Sequence, residues 1–279
     1  IHFQSGKKKP IKMVNLSGFF VSMDNLIFVS YVLFFLVALL YSSAGFGGGS
    51  LYIALLTFTS IHYQWIPVIA LSCNVVVVLG NCIHHIRNQS FSLLDVFPFI
   101  IFSIPAAYLG GQMLLNRDVL YFILGLALLC AGSMLVLQGL KKGWLFTIAN
   151  KKLPKPLDLG FNIGLGGGIG YLSGMVGIGG GIFLSPILHF FGRLSARQIT
   201  AISSFYILVN SLSGLLGQIT KLNEFSSNTS IVQCIPFVLA VFAGGFIGNK
   251  ISFKWLKTKQ IKLLTGLVIF IAGMRLLLV

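Results

Sequence analysis

Two short glycine runs carry the residues best suited to chemistry in this chain: Gly45-Phe-Gly-Gly-Gly-Ser50 and Gly177-Ile-Gly-Gly-Gly-Ile182. A helix interior disfavours glycine by about 1 kcal/mol relative to alanine, so three in a row within apolar sequence predict a broken helix. Inside a bilayer, broken backbone is tolerated where it is buried or lines a cavity. The helix that restarts after the break presents unpaired N–H groups and the positive end of its dipole at membrane depth. Glycine lets a ligand approach that backbone, and the arrangement suits an anion. Gly47, Gly48, Gly49 and Ser50, with Gly179, Gly180 and Gly181, are therefore the candidate substrate-binding residues. The competing reading is close helix packing by small residues. It is the preferred account of Gly164–Gly170 (GLGGGIG) and of Gly244-Gly245. Neither repeated run is a nucleotide loop, because Ser50 and Ile182 occupy the place of the last glycine and no Lys-Ser/Thr follows.

Polar side chains within apolar sequence are the next candidates. Ser72, Asn74 and Asn81 fall on one segment, and Ser203, Ser204 and Asn210 on another. Ser72, Asn74, Ser203 and Ser204 are added to the substrate-binding set, although a lone Ser or Asn in a span often just bonds a neighbouring helix. His84, His85, Arg87, His189 and Arg193 gather near segment ends. His84, Arg87 and Arg193 are candidates for guiding anions or a proton, against interfacial snorkelling as the alternative. All five carboxylates, Asp24, Asp95, Asp118, Asp158 and Glu224, sit at segment boundaries. That placement argues against a cation site or a carboxylate proton relay. No HExxH, nucleophile–base pair or metal-spaced Cys/His set occurs in the sequence. The expectation is a protein without catalytic residues, metal or cofactor, and not an enzyme. Cys73, Cys82, Cys130 and Cys234 stand singly in apolar sequence and read as small packing residues.

The segments that position these residues are membrane spans. The chain is 56% apolar and only 9% charged, against roughly 25% charged in a soluble domain. Between Asp24 and Arg87 no Asp, Glu, Lys or Arg occurs, and further uncharged stretches run from 96 to 116, 119 to 140, 159 to 192, 198 to 220 and 225 to 249. Several approach the ~20 residues that a helix needs to cross the hydrocarbon. In the final stretch only Arg275 is charged, near enough to the end to snorkel. The formal charge of +15 is concentrated in loops beside spans, Lys141–Lys155 and Lys250–Lys262. Basic juxtamembrane loops of this kind read as cytoplasmic and not as a nucleic-acid surface.

The chain is also an internal repeat. Ala44–Leu51 returns as Val176–Phe183, Ala70–Cys73 as Ala201–Ser204, Ala106–Gly110 as Gly244–Gly248, and Gly125–Met134 as Gly266–Met274. Each half reads as five helical elements: two short ones flanking the glycine run (Leu26–Tyr41 and Ser50–Thr59; Leu159–Gly174 and Ile182–Phe191), then three full spans. Those spans are 65–86, 93–115 and 119–137, then 196–220, 231–250 and 260–278. The expected fold is an all-α integral membrane protein crossing about eight times, built as two inverted repeats with glycine-broken helices meeting near the midplane. Residues 1–24 are a tail, of which 1–6 (IHFQSG) read as an expression remnant; 25–139 and 159–279 are the repeats, and 140–158 is a basic cytoplasmic linker. Lys7–Lys12 followed by Leu26–Tyr41 resembles a signal peptide, but cleavage is rejected because the same region recurs later in the chain.

The pattern A-G-F-G-G-G-S-L and V-G-I-G-G-G-I-F, each leading into a span with A-x-S-[CS], resembles the sulfite exporter TauE/SafE family, also called toluenesulfonate uptake permeases. The resemblance runs from about Leu26 through nearly the whole chain. It implies a multi-pass transporter of the bacterial inner membrane that moves sulfite, sulfonates or related anions. It makes Gly47–Ser50 and Gly179–Gly181 backbone donors and Ser72 and Ser203 polar lining. Cys73-Asn74 stands where the second half has Ser204-Phe205, so the pocket need not be symmetric. The expected activity is secondary transport of sulfite or an organosulfonate by alternating access. A passive anion channel, or a carrier of another oxyanion or carboxylate, is the alternative. The expected partners are a small anionic substrate, lipid, a coupling proton and, in the assembly, a second copy in a homodimer.

Overall fold

The computed structural model describes residues 16–44, 47–59, 61–87, 93–140, 155–191, 196–223, 234–250 and 258–278. Among them there is no strand. The helices are α1 (Leu16–Ala44), α2 (Gly49–Leu56), α3 (Trp65–Arg87), α4 (Leu93–Ile100), α5 (Ser103–Gln112), α6 (Arg117–Leu140), α7 (Lys155–Val176), α8 (Gly181–Phe191), α9 (Ala196–Asn223), α10 (Ile235–Lys250) and α11 (Thr258–Leu278). This is an all-helical membrane protein. Among the described residues, three helical stretches, over Trp65–Arg87, Arg117–Leu137 and Gln198–Leu222, are long and apolar enough to cross a bilayer.

Polarity is distributed as lipid requires. Phe28, Leu109, Phe122, Leu216, Leu239, Phe242 and Ile271 are all more than half exposed, while Asn74, Ser203, Ser204, Asn210, Ser211 and Gln218 are fully buried. With hydrocarbon outside, apolar surface gains nothing by turning inward, and polar groups seek partners in the interior.

The packing is set by glycines and repeats when the halves are exchanged. α1 packs on α10 and α7 on α5; α3 packs on α9 and α6 on α11. Gly110 lies against the Tyr171 carbonyl, and its repeat counterpart Gly248 lies against the Leu39 carbonyl. Leu39 and Tyr171 each stand five residues before Ala44 and Val176, the start of the matched glycine runs. Along the α6–α11 seam, Gly125 meets Gly273 and Gly132 meets Gly266; a Cβ on any of the four would lie 2.9 to 3.1 Å from the facing glycine's carbonyl oxygen. Backbones approach this closely only where side chains are absent.

Gly166 and Gly170 in the GLGGGIG segment pack on Phe99 and Ser103, and Gly244 on Phe35 and Ala38, in the packing role expected of them, whereas Gly164 and Gly168 meet nothing within 4 Å. Three boundaries differ from expectation: α1 begins at Leu16, inside the segment read as a tail, and the other two lie further along. The span read over 93–115 is two helices, α4 and α5, interrupted at Ile101-Phe102. Pro105 has no N–H for the Ile101 carbonyl, so the ladder lapses there, and Ala106 resumes it by donating to Phe102 at 3.1 Å. α7 begins at Lys155, inside the segment assigned to the linker.

Candidate functional site

Each glycine run ends one helix and starts another. α2 restarts at Gly49 after Gly48, whose φ of −90° and ψ of 8° lie outside the helix and which provides no side-chain cap. Tyr52 donates its N–H to the Gly48 carbonyl at 2.9 Å, so the N–H groups of Gly49, Ser50 and Leu51 are the ones that helix geometry leaves without an intrahelical acceptor. α8 restarts after a tighter turn in which Gly177, Gly179 and Gly180 have φ of 88°, 83° and 79°, values that glycine adopts without Cβ strain. Phe183 and Leu184 both donate to Gly180, each at 3.1 Å. Gly181 and Ile182 are then the first-turn donors with no intrahelical acceptor.

The two breaks touch. The space where a Cβ would stand on Gly49 is filled by the carbonyl oxygen of Ile178, in the other half of the chain. Asn74, fully buried on α3, ties the junction together: its Nδ2 donates to the Ile178 carbonyl at 3.3 Å and meets the Ser211 Oγ at 3.1 Å. A Cβ on Gly47 would strike the Asn74 amide, and one on Gly179 would strike Asn74 and lie 2.8 Å from Ser211 Oγ. The Asn74 Oδ1 has no partner. A carbonyl can only accept, so the contact with Ile178 fixes which end of the amide points at it.

An unpartnered hydroxyl lies beside each break. Tyr52, stacked on Phe34 with ring centroids 4.7 Å apart, has its buried hydroxyl 2.9 Å from the Cβ position of Gly48. Ser173, also without a partner, has its Cβ 3.3 Å from the Cβ position of Gly180. Ser203 is a third buried hydroxyl without a partner, and its carbonyl lies 3.7 Å from the Cβ position of Gly181. A buried hydroxyl left unpaired costs free energy, and each of these groups has room in its bonding for a polar partner, an ordered water or a ligand.

Several surrounding polar groups are hydrogen-bonded, although the Gln218 Oε1 and the Trp65 Nε1 have no partner. Tyr206 donates its hydroxyl to the Gly166 carbonyl at 2.6 Å, Ser103 bonds Asn210, and Asn210 donates to the Tyr206 carbonyl at 3.0 Å. Gln218 donates to the carbonyls of Gly174 and Met175 at 2.9 and 3.2 Å. It thereby caps the end of α7 just before the second break.

The structure thus brings together Gly47, Gly48, Gly49, Gly179, Gly180, Gly181, Asn74 and Ser203, with Ser50 buried in the first turn of α2. Ser72 and Ser204 turn away: they donate to Val68 and Thr200 of their own helices at 2.8 and 2.9 Å. His84 and Arg87 are exposed at the far end of α3; thirteen residues of helix place Arg87 about 20 Å from Asn74. Arg193 lies outside the described residues. Ser211, Ser173 and Tyr52 do not stand out in the sequence. Ser211 carries a faint signal, as a polar residue in an uncharged span. Among the described residues no group of His, Cys, Asp and Glu could hold a metal ion.

The family model described as "Sulfite exporter TauE/SafE" matches residues 30–276. A relative described as a "Probable membrane transporter protein" in Sinorhizobium fredii is 30% identical over 88% of this chain and 96% of its own length. Proteins with the same description in Bacillus subtilis and Methanocaldococcus jannaschii are 22% and 26% identical, over 85% and 88% of this chain. No solved structure matches the chain.

Proposed function

The chain belongs to the sulfite exporter TauE/SafE family of membrane transporters, and from that premise we propose that it carries a small oxyanion, sulfite or an organosulfonate, by alternating access. The single observation that carries this reading is the junction of the two breaks, Gly49 against the Ile178 carbonyl with Asn74 bridging. Two half-helix N-termini with first-turn donors converge there beside unpartnered hydroxyls. In this reading the halves are inverted repeats in the bacterial inner membrane, the chain crosses it several times, and the halves rock about the junction. The absence of any carboxylate from the middle of a span disfavours a cation as the bound species.

Ligand-dependent thermal stabilisation of the purified protein tests this. Sulfite, sulfate, thiosulfate, taurine and sulfoacetate are compared with acetate, in the natural chain and in Gly48→Val. Selective stabilisation by one sulfur oxyanion, lost in the variant, is the expected result. Stabilisation of equal size in Gly48→Val would remove the glycine junction as the site, and no stabilisation by any sulfur anion would remove the substrate class.

A further inference from the structure

A second place in the molecule has the chemistry to hold an anion, and it lies apart from the junction. Helix α2 has eight residues, so at 1.5 Å per residue it runs about 12 Å from the break at Gly49 before it ends. Half the hydrocarbon thickness is about 15 Å. The end of α2 therefore reaches a membrane face if the break is near the midplane. At that end a 410 Å³ open cavity is lined by the loop after α2 together with Arg117 at the start of α6 and Arg275 near the end of α11.

Two cations at a membrane surface often neutralise carboxylates or cap a helix. Among the described side chains neither account applies. Asp118 is the one acid among the described side chains, and it forms no ion pair with either arginine. The carbonyl end of α2 is already capped by hydroxyls: Thr57 donates to Ala54 at 2.8 Å and Thr59 to Leu56 at 2.7 Å. Each guanidinium is instead held by an aromatic face, Arg275 at 4.1 Å over Phe58 and Arg117 at 5.2 Å over Tyr121. A cation–π contact does not use up the N–H donors of a guanidinium, whose fork matches two oxygens of an oxyanion. His62 and Tyr63 line the same cavity and add ring N–H and hydroxyl donors.

We propose that Arg117 and Arg275 form an oxyanion-binding vestibule at one mouth of the protein, separate from the glycine junction. Its role as a staging site for transported anion rests on the carrier reading above; its anion chemistry does not. The occupant is an oxyanion group, supplied by a soluble ion or by a lipid phosphate.

Arginine footprinting on the full chain decides this. Protein in dodecyl maltoside, which carries no phosphate, is treated with phenylglyoxal, and the modified peptides are quantified by mass spectrometry with and without sulfate. Sulfate is used because sulfite adds to the reagent's aldehyde. At sulfate about ten times its half-protecting concentration, the expected result is modification slowed about tenfold at Arg117 and Arg275, with Arg87, exposed at the far end of α3, unchanged. The same protection in Gly48→Val would show that it does not come from the junction, whereas its loss there would overturn a separate site. Nanodiscs of phosphatidylglycerol without sulfate form the second arm. Protection in that arm identifies a lipid phosphate, and protection by sulfate alone identifies a soluble ion. Equal modification in every arm overturns the proposal. Protection without any anion flux in liposomes would sink the carrier reading and leave the vestibule standing; flux without protection would do the reverse.

Discussion

Asn74 donates its side-chain amide to the carbonyl of Ile178 at 3.3 Å, and this bond links the first half of the chain to the helix break of the second. Replacing Asn74 tests stability and transport separately. Asn74→Leu leaves the Ile178 carbonyl buried without that donor, at a cost of about 1–3 kcal/mol. Asn74→Asp, when ionised, loses both donors and adds a negative charge where an anion is to bind. The expected order of anion flux in liposomes is natural chain, then Asn74→Leu, then Asn74→Asp. Flux in Asn74→Asp equal to that in Asn74→Leu would place this side chain off the anion's route.

The equivalent glycines of the two breaks are expected to respond unequally. Gly180 has φ of 79°, and a Cβ there would also lie 2.9 Å from the Tyr206 ring. Gly180→Ala therefore combines a left-handed strain of about 1–2 kcal/mol with overpacking. Gly48 has φ of −90°, so Gly48→Ala meets only the Tyr52 ring, 2.7 Å away. Thermal midpoints in detergent should fall further for Gly180→Ala; equal falls would show that crowding by the tyrosine rings, and not backbone strain, sets the cost at both positions.

Gln218 is expected to matter for stability and not for substrate affinity. Its side-chain Nε2 caps the carbonyls of Gly174 and Met175, and Gln218→Met keeps the approximate volume while removing both bonds. A loss of about 1–3 kcal/mol follows from leaving those acceptors unpaired. A lowered thermal midpoint with unchanged KM for the transported anion is the expected pattern. A raised KM at unchanged midpoint would make Gln218 part of the binding site.

Glycines in the seam and glycines in open space should separate cleanly. Gly132→Ala places a Cβ 2.8 Å from the Phe270 nitrogen and 2.9 Å from the Gly266 carbonyl oxygen, both backbone atoms, for an overpacking cost of about 1–3 kcal/mol. Gly164→Ala meets nothing within 4 Å and gains helix propensity of up to about 1 kcal/mol. Midpoints moving in opposite directions are expected. A Gly132→Ala midpoint at or above that of the natural chain would mean that α6 and α11 do not pack through this seam.

Much of the scaffold can be read from residue types alone, because lipid imposes strong local rules. Uncharged stretches locate the helices, and the recurrence of the GxGGG pattern locates the two breaks; run length alone does not, since Gly166–Gly168 lie inside the unbroken α7. The interruption between α4 and α5 also has a local signal in Pro105, but the uncharged stretch around it reads as one span. The pairing of distant groups is what residue types do not reveal. Nothing near Asn74 in sequence points to Ile178 or Ser211, and Ser72 resembles Ser203 in the repeat yet bonds its own helix. Arg275 near a segment end reads as a snorkelling side chain; only the fold brings it to the same cavity as Arg117.

The packing that repeats when halves are exchanged has the form of an isologous interface, in which residue i meets j and j meets i. Two identical half-length chains associating through such an interface would have to carry every feature twice. An asparagine at position 74 would then occur twice, and the polar centre would be bound to two-fold symmetry. Joining the halves in one chain removes that obligation. The repeat counterpart of Asn74 is Phe205, so packing that repeats between the halves encloses an interior whose side chains do not, and a ligand lacking two-fold symmetry would have a single preferred way to lie in it.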